Sequence, residues 1–486
     1  MSATLLFTLF AIYFGILMLV TTLAGRKARS NEAFFLGNRQ SPWWVVAIGM
    51  VGSSISGVSF ISVPGMVGGI GFTYMQTVVG FFFGYIVVAK LLLPLYYKLQ
   101  ITSIYSYLNQ RLGVRSYKTG ASFFLLSKLI GASARLYVVA LVLQTLVLNQ
   151  WHIPFPLTVI VIVLLIWLYT FRSGMKSIVW TDTVQALVMM AALGLITYEL
   201  YTRLRGSGSL TLGTFTEHPA FRLFEFSDWF SKQHFVKQFF SGIFIVIVMT
   251  GLDQDMMQKN LSCKSLSDAQ KNMYWYGFAF IPINFLFLLL GLMLIMFASQ
   301  KGITLPAGPD QILPFLVSSH LGVTVQVLFF LGVLSAAFNS ADSAIIALTT
   351  SFSVDILGVE NKSRASAEKT RRWIHVAISV LFIAVILLFN RVNNKSVIDA
   401  IYIIASYSYG PLLGMFAFGL FTNRAVNDKL APYIAILSPL ICYALSEITQ
   451  LYFGYKFGYE LLMLNGFITF AGLWLSGSVP QKFAQR

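Results

Sequence analysis

Charge is what this chain has least of. Charged residues make up 11% of its 486 residues, and hydrophobic residues make up 57%. A soluble domain carries roughly 25% charged residues, so a surface facing mainly water is excluded. Acidic groups are scarcest, 18 Asp and Glu against 34 Lys and Arg, for a formal net charge of +16. That excess does not point to nucleic acid, because membrane proteins gather Lys and Arg in their cytoplasmic loops. The two cysteines, Cys263 in an expected loop and Cys442 in an expected span, offer no disulfide framework. The five histidines, His152, His218, His234, His320 and His375, are scattered without metal-ligand spacing. Nucleophile motifs and phosphate loops are lacking, which argues against an enzyme. No gap between apolar stretches is long enough for a separate soluble domain, which disfavours a membrane sensor.

What the chain does have is a succession of apolar stretches near the roughly 20 residues needed to cross a bilayer. About thirteen spans are expected, near 3–24, 42–67, 70–97, 119–148, 153–171, 177–201, 235–257, 272–298, 322–351, 372–390, 397–422, 430–450 and 459–477. The first ends in Gly25-Arg26-Lys27 and is too long for a signal-peptide core, so a retained helix is expected. With the N-terminus outside, 22 of the Lys and Arg fall in cytoplasmic segments and 9 on the opposite side, which predicts an N-out, C-in orientation. Lys259 is counted among the cytoplasmic loop residues. Of the two longer outside segments, 202–234 is expected to carry a short surface helix near Phe221 to Phe230. The second, 299–321, is expected to be a proline-rich connector over the membrane path.

Span 2 is unlike a plain membrane helix. Its middle reads Gly52-Ser53-Ser54-Ile55-Ser56-Gly57-Val58-Ser59-Phe60. Gly is a poor helix former and Ser hydroxyls compete for backbone bonds, so the segment can unwind. Within a bilayer such unwinding is tolerated only along a cavity; close packing through small residues is the plainer reading. Five spans later, span 7 carries Thr250-Gly251-Leu252-Asp253-Gln254-Asp255. Two polar interruptions at matching places in two five-span halves point to an inverted repeat around a midplane site.

Span 9 adds a stripe of small and polar residues: Gly332, Ala336, Asn339, Ser340, Ser343 and Ala347, with Asp342 beside it. Asn339 and Asp342 argue against mere packing, since burying them without a role is costly. Asp182 near the start of span 6 reads either as a functional carboxylate or as an interfacial one. Arg135 lies mid-span, one heptad beyond Lys128 and on roughly the same face. It needs a partner at that depth, with Asp182, Asp342 or a substrate carboxylate as the candidates, a structural ion pair being the first choice.

At this point the residues resemble the sodium:solute symporters, a family that includes sodium/glucose, sodium/proline and sodium/sialic acid carriers. Carrying the resemblance are Gly52 to Pro64, Ile101-Thr102-Ser103, Trp180-Thr181-Asp182, Asp253-Gln254 through Gln258, Pro309-Asp310 through Leu313-Pro314, Ala336 to Asp355, and Tyr407 to Gly414. It implies an all-α membrane protein with the LeuT-like five-plus-five inverted repeat. Residues 1–41 would form an extra helix and loop, 42–201 the first repeat, 235–422 the second, and 423–486 two further helices and a tail. For sodium it implies carbonyls of Gly52, Ile55 and Ala336 with side-chain oxygens of Asn339 and Ser340; most members look to have Ser or Thr where Asn339 stands. A second sodium would use Asp182, Asn339, Asp342 and Ser343. The solute pocket implied is Ser54, Ser56, Ser59, Tyr74 and Gln76, with Phe60 as a gate. Sialic acid carriers look to use an arginine one turn before the position of Arg135.

The function implied is sodium-coupled symport of a small organic solute (a sugar, a sialic acid or another small organic anion) by alternating access. Proton coupling through Asp182 or Asp342 is the alternative within transport, and a non-transporting membrane sensor the alternative outside it. The partners expected are sodium, the solute and a lipid bilayer, without nucleic acid, for a monomer in a plasma membrane, as suggested for a bacterial inner membrane by the short loops and tail.

Overall fold

The computed structural model describes residues 3–25, 31–146, 148–171, 174–206, 211–361, 363–392 and 397–477. Several cations of the charge census, namely Arg26, Lys27, Arg29, Arg172, Lys362, Lys395, Lys482 and Arg486, lie outside these. Among the described residues regular structure is helical, apart from one bridge between Ser41 and Cys263. Eight helices are long and apolar enough to cross a membrane, or ten when each of two bent helix pairs counts as one span.

α1 is Ala3–Gly25. The first bent pair follows, with α2 (Trp43–Ser54) and α3 (Gly57–Gly65) meeting in a bend of 60°. Then come α4 (Tyr74–Val87), α5 (Val114–Leu146), α6 (Phe155–Thr170) and α7 (Met175–Gly206). The second bent pair is α8 (Phe235–Val246), extended by a π-turn over Ile247–Gly251, and α9 (Gln254–Leu261), with a bend of 66°. The remaining long helices are α10 (Leu266–Lys301), α11 (Val323–Ser351), α12 (Arg364–Val392), α13 (Val397–Phe421), α14 (Ala431–Phe453) and α15 (Leu461–Ser476).

Both breaks fall at the polar interruptions of the sequence. At the first, Ile55 turns extended (φ −88°, ψ 90°) and Ser56 caps the next half-helix by accepting from Ser59 N at 3.3 Å. Val51 O still accepts from Ile55 N at 3.1 Å; the carbonyls after it lose their in-helix partners. At the second, the Asp253 carboxylate caps α9, accepting from Asp255 N at 2.9 Å and Met256 N at 3.3 Å. The π-turn just ahead of it is the kind of irregularity that concentrates at functional sites.

α2 packs between α7, α10 and α11, and α11 also lies along α5 and α7. Gly52 permits this approach: a Cβ there would come within 2.6 Å of Ala186 Cβ and 2.8 Å of Asn339 Nδ2. Span 7 extends past the expected 257 to Leu261, and every residue of α9 is buried. Lys259, expected in a cytoplasmic loop, is therefore an interior residue, 1% exposed. The segment 299–321, expected to be a connector, contains a helix, Pro309–Ser319, where Pro309 suits the first turn; this helix packs on α3. In the 202–234 segment the short helices fall at Leu212–Thr216 and Pro219–Phe221, so Phe224, Trp229 and Phe230 sit on an exposed loop instead of a surface helix.

Candidate functional site

A cavity opens where the two breaks face one another. Its wall takes Ser54, Ile55, Ser56 and Ser59 from the first break, Thr250, Asp253 and Asp255 from the second, Lys128 and Arg135 from α5, and Tyr74 and Ser340 from α4 and α11. Counting its mouth it measures about 1420 Å³.

Of the residues expected to touch solute, Ser54, Ser56, Ser59, Tyr74 and Arg135 line this cavity. Phe60 and Gln76 do not. Phe60 is wholly buried behind the wall, edge-on to Phe287 at 5.3 Å between ring centres. Gln76 holds the 222–234 loop instead: its Nε2 donates to Gln233 O at 2.8 Å and its Oε1 accepts from Glu225 N at 2.9 Å. Tyr276 and Tyr85 form a polar floor, with Tyr85 OH donating to Tyr276 OH at 2.7 Å and Tyr276 OH bonded to Ser54 Oγ.

The charged residues divide into two groups. Lys128 Nζ lies 3.2 Å from Asp253 Oδ1 and 2.7 Å from Asp255 Oδ2, and Tyr409 OH donates to Asp253 Oδ2 at 2.7 Å. Deeper in, Lys259 Nζ lies 2.7 Å from Asp182 Oδ2 and donates to Ser53 Oγ. The ion pair expected for Arg135 is not made with either candidate: Asp182 takes Lys259, and Asp342 Oδ2 accepts from Tyr169 OH at 2.7 Å. Arg135 keeps a place on the cavity wall with no ion pair among the described residues.

Of the expected sodium ligands, Ile55 and Ser340 border the cavity and Gly52 packs against Asn339. Ser340 Oγ is buried without a hydrogen-bond partner, and its residue borders the cavity. The side chain of Asn339 is turned away from Ser340. Its Oδ1 accepts from Ser53 Oγ at 2.5 Å, and its Nδ2 donates to Asp182 O at 3.1 Å. Of the second expected set, Asp182 and Ser343 meet, Ser343 Oγ to Asp182 Oδ2 at 3.3 Å, with Asn339 alongside. Asp342 is engaged elsewhere, by Tyr169 and by Ser343 N at 2.6 Å. Four charged residues of the site were not singled out from the sequence for a charge role: Lys128, Lys259, Asp253 and Asp255. The signal available was their spacing, which puts Asp255 and Lys259 one turn apart on the half-helix after the break.

Comparison with known proteins agrees with this architecture. The profile of the sodium:solute symporter family matches residues 34–457. The sodium/sialic acid symporter NanT of Aliivibrio fischeri is 23% identical over 470 residues, covering 94% of this chain and 91% of that protein. The human sodium-coupled monocarboxylate transporter 1 is 24% identical over 418 residues, 82% of this chain and 65% of that protein. Among solved structures, a Na+-coupled sialic acid symporter in a substrate-bound outward-open state superposes with a TM-score of 0.83 at 20% identity, over 98% of both chains. A nucleobase-cation-symport-1 family transporter superposes with a TM-score of 0.54 at 15% identity, over 92% of this chain and 94% of that one. The fold is accordingly all-helical and LeuT-like, with the broken helices at its centre, and the protein is a transporter and not an enzyme. The chain belongs to the sodium:solute symporter family.

Proposed function

We propose that this protein is a sodium-coupled symporter of a small organic anion, working by alternating access, with sodium as a transported ion. The observation that carries the reading is Arg135, a guanidinium on the wall of the cavity between the two breaks that forms no ion pair among the described residues. A guanidinium in a membrane interior needs a counter-charge, and a carboxylate matches its fork of donors. Sialic acids and monocarboxylates, the substrates in the names of two relatives, are both anionic. Asp255 feels the Arg135 charge without pairing with it, so a neutral sugar would leave the guanidinium without a direct anionic partner.

Sodium would bind at the break, between the freed carbonyls of Gly52 and Ile55, the carbonyl of Ala336 and the unpartnered Ser340 hydroxyl. Hydroxyl and carbonyl oxygens suit a hard monovalent cation. Ion and solute share the Ser54-Ile55-Ser56 stretch, so ordering one end of it prepares the other. We take thirteen helices to cross the membrane, N-terminus outside, in one domain of repeats 42–201 and 235–422, acting as a monomer in a bacterial plasma membrane. In that orientation Met66 and Tyr459 of the cavity wall lie on the outer side, so this conformation faces out.

The test is uptake of labelled solutes into proteoliposomes, under an inward sodium gradient and then a proton gradient. The panel spans sialic acid, small carboxylates, neutral sugars and amino acids. Sodium-driven uptake of an anionic solute, lost in Ser340→Ala and Arg135→Ala, is the expected result. Uptake driven by protons alone would overturn the sodium assignment, and uptake of a neutral sugar unaffected by Arg135→Ala would overturn the solute class.

A further inference from the structure

Within the second set of expected sodium ligands, Asp182 already holds a cation. Lys259 Nζ sits 2.7 Å from Asp182 Oδ2 and 3.8 Å from Asp255 Oδ1, and it donates to Ser53 Oγ. Ser53 in turn lies 2.5 Å from Asn339 Oδ1, and Ser343 Oγ lies 3.3 Å from the same Asp182 oxygen that holds the ammonium. Both charged side chains are sealed from solvent, at 2% and 1% exposure. The ammonium touches a carboxylate and a hydroxyl directly, and an amide oxygen and a second hydroxyl stand one contact further out, the kinds of oxygen a bare monovalent cation takes as ligands.

The ammonium is held there by its helix. α9 is fixed on several sides. Gln258 Nε2 donates to Thr350 Oγ1 at 2.9 Å, Asn272 Nδ2 to Asn260 Oδ1 at 2.7 Å, Tyr97 OH to Asn260 O at 2.9 Å, and Ser41 N to Ser262 O at 2.9 Å. The Asp253 cap sets where α9 begins. Lys259 therefore reaches the cluster from an immobilised backbone. A sodium ion entering beside it would meet a like charge in a low-dielectric interior, where such repulsion is strong.

We propose that Lys259 is a tethered cation standing in place of a second sodium ion. The shell of Asp182, Ser53, Asn339 and Ser343 is closed to sodium in this chain, and exchangeable sodium is confined to the break near Ser340. The single-ion stoichiometry rests on the sodium reading above; the occupation of the shell by Lys259 does not.

Equilibrium binding of radioactive sodium to the purified full-length protein separates the two. The wild type is expected to bind one equivalent with a Hill coefficient near one, lost in Ser340→Ala. Lys259→Ala and Lys259→Met are each expected to bind one equivalent more than the wild type, and Asp182→Asn added to either should remove the gain. Lys259→Arg, which keeps the charge, should show no gain. Two equivalents in the wild type would overturn the proposal even if no variant folds, as would the absence of a gain in folded Lys259→Ala and Lys259→Met. No binding in the wild type but one equivalent in Lys259→Ala would sink the sodium reading and sustain this one.

Discussion

A buried ion pair contributes little as a whole and is costly to break in half. Lys259 and Asp182 form such a pair. Lys259→Met leaves Asp182 buried and uncompensated, a loss of about 3–5 kcal/mol, which thermal unfolding in detergent will register as a lower midpoint. Adding Asp182→Asn should restore part of that loss. Sodium should raise the midpoint of Lys259→Met more than that of the wild type, because the emptied shell then has a ligand to gain. Arg135 is the second residue whose charge decides something. A hydrogen bond to a charged group is worth about 1.5–3 kcal/mol, so Arg135→Ala should raise the KM for an anionic solute roughly tenfold to a hundredfold. Arg135→Lys should recover only part, since a single ammonium lacks the bidentate fork. Initial uptake rates across solute concentrations measure both.

The elements that matter most are the two interrupted helices, and their interruptions were legible. Glycine and serine between Gly52 and Ser59, and glycine and aspartate between Thr250 and Asp255, mark the bends found at Ile55 and Leu252–Asp253. The polar stripe of α11 was equally plain, and it does face the first break. What periodicity could not show is where α9 ends. Gln258-Lys259-Asn260 is polar enough to read as a loop, yet all of it is buried. Lys259 was assigned to solvent for that reason, and the partner of Asp182 was missed with it. Gln76 and Phe60 differ on a smaller scale: the family resemblance implies a place at the pocket for both, but only packing shows which way each side chain turns. Close packing also sets a prediction at this scale. With a Cβ at position 52 falling 2.6 Å from Ala186 Cβ, Gly52→Ala should lose transport and about 1–3 kcal/mol of stability through overpacking. Unfolding and uptake of the same preparation will show whether both fall together.

For the whole molecule, the proposed ion and solute sites share a single unwound stretch, and the cavity beside it is open on one face. If that face is external, Met66→Cys on the cavity wall should react with a membrane-impermeant thiol reagent added outside intact cells, and solute should slow the reaction. The native Cys263 and Cys442 are buried, so background labelling should be low. Equal labelling from outside and inside would remove the assigned orientation.

The central claim is that sodium and solute bind as a coupled pair. Coupling of this kind is reciprocal and typically worth about fivefold to 150-fold in affinity. Calorimetric titration of the purified protein with an anionic solute, in sodium and then in choline at equal ionic strength, tests it most directly. The account predicts tighter solute binding in sodium, the same factor when sodium is titrated with solute present, and loss of both in Ser340→Ala. Equal solute affinity in sodium and in choline would contradict it.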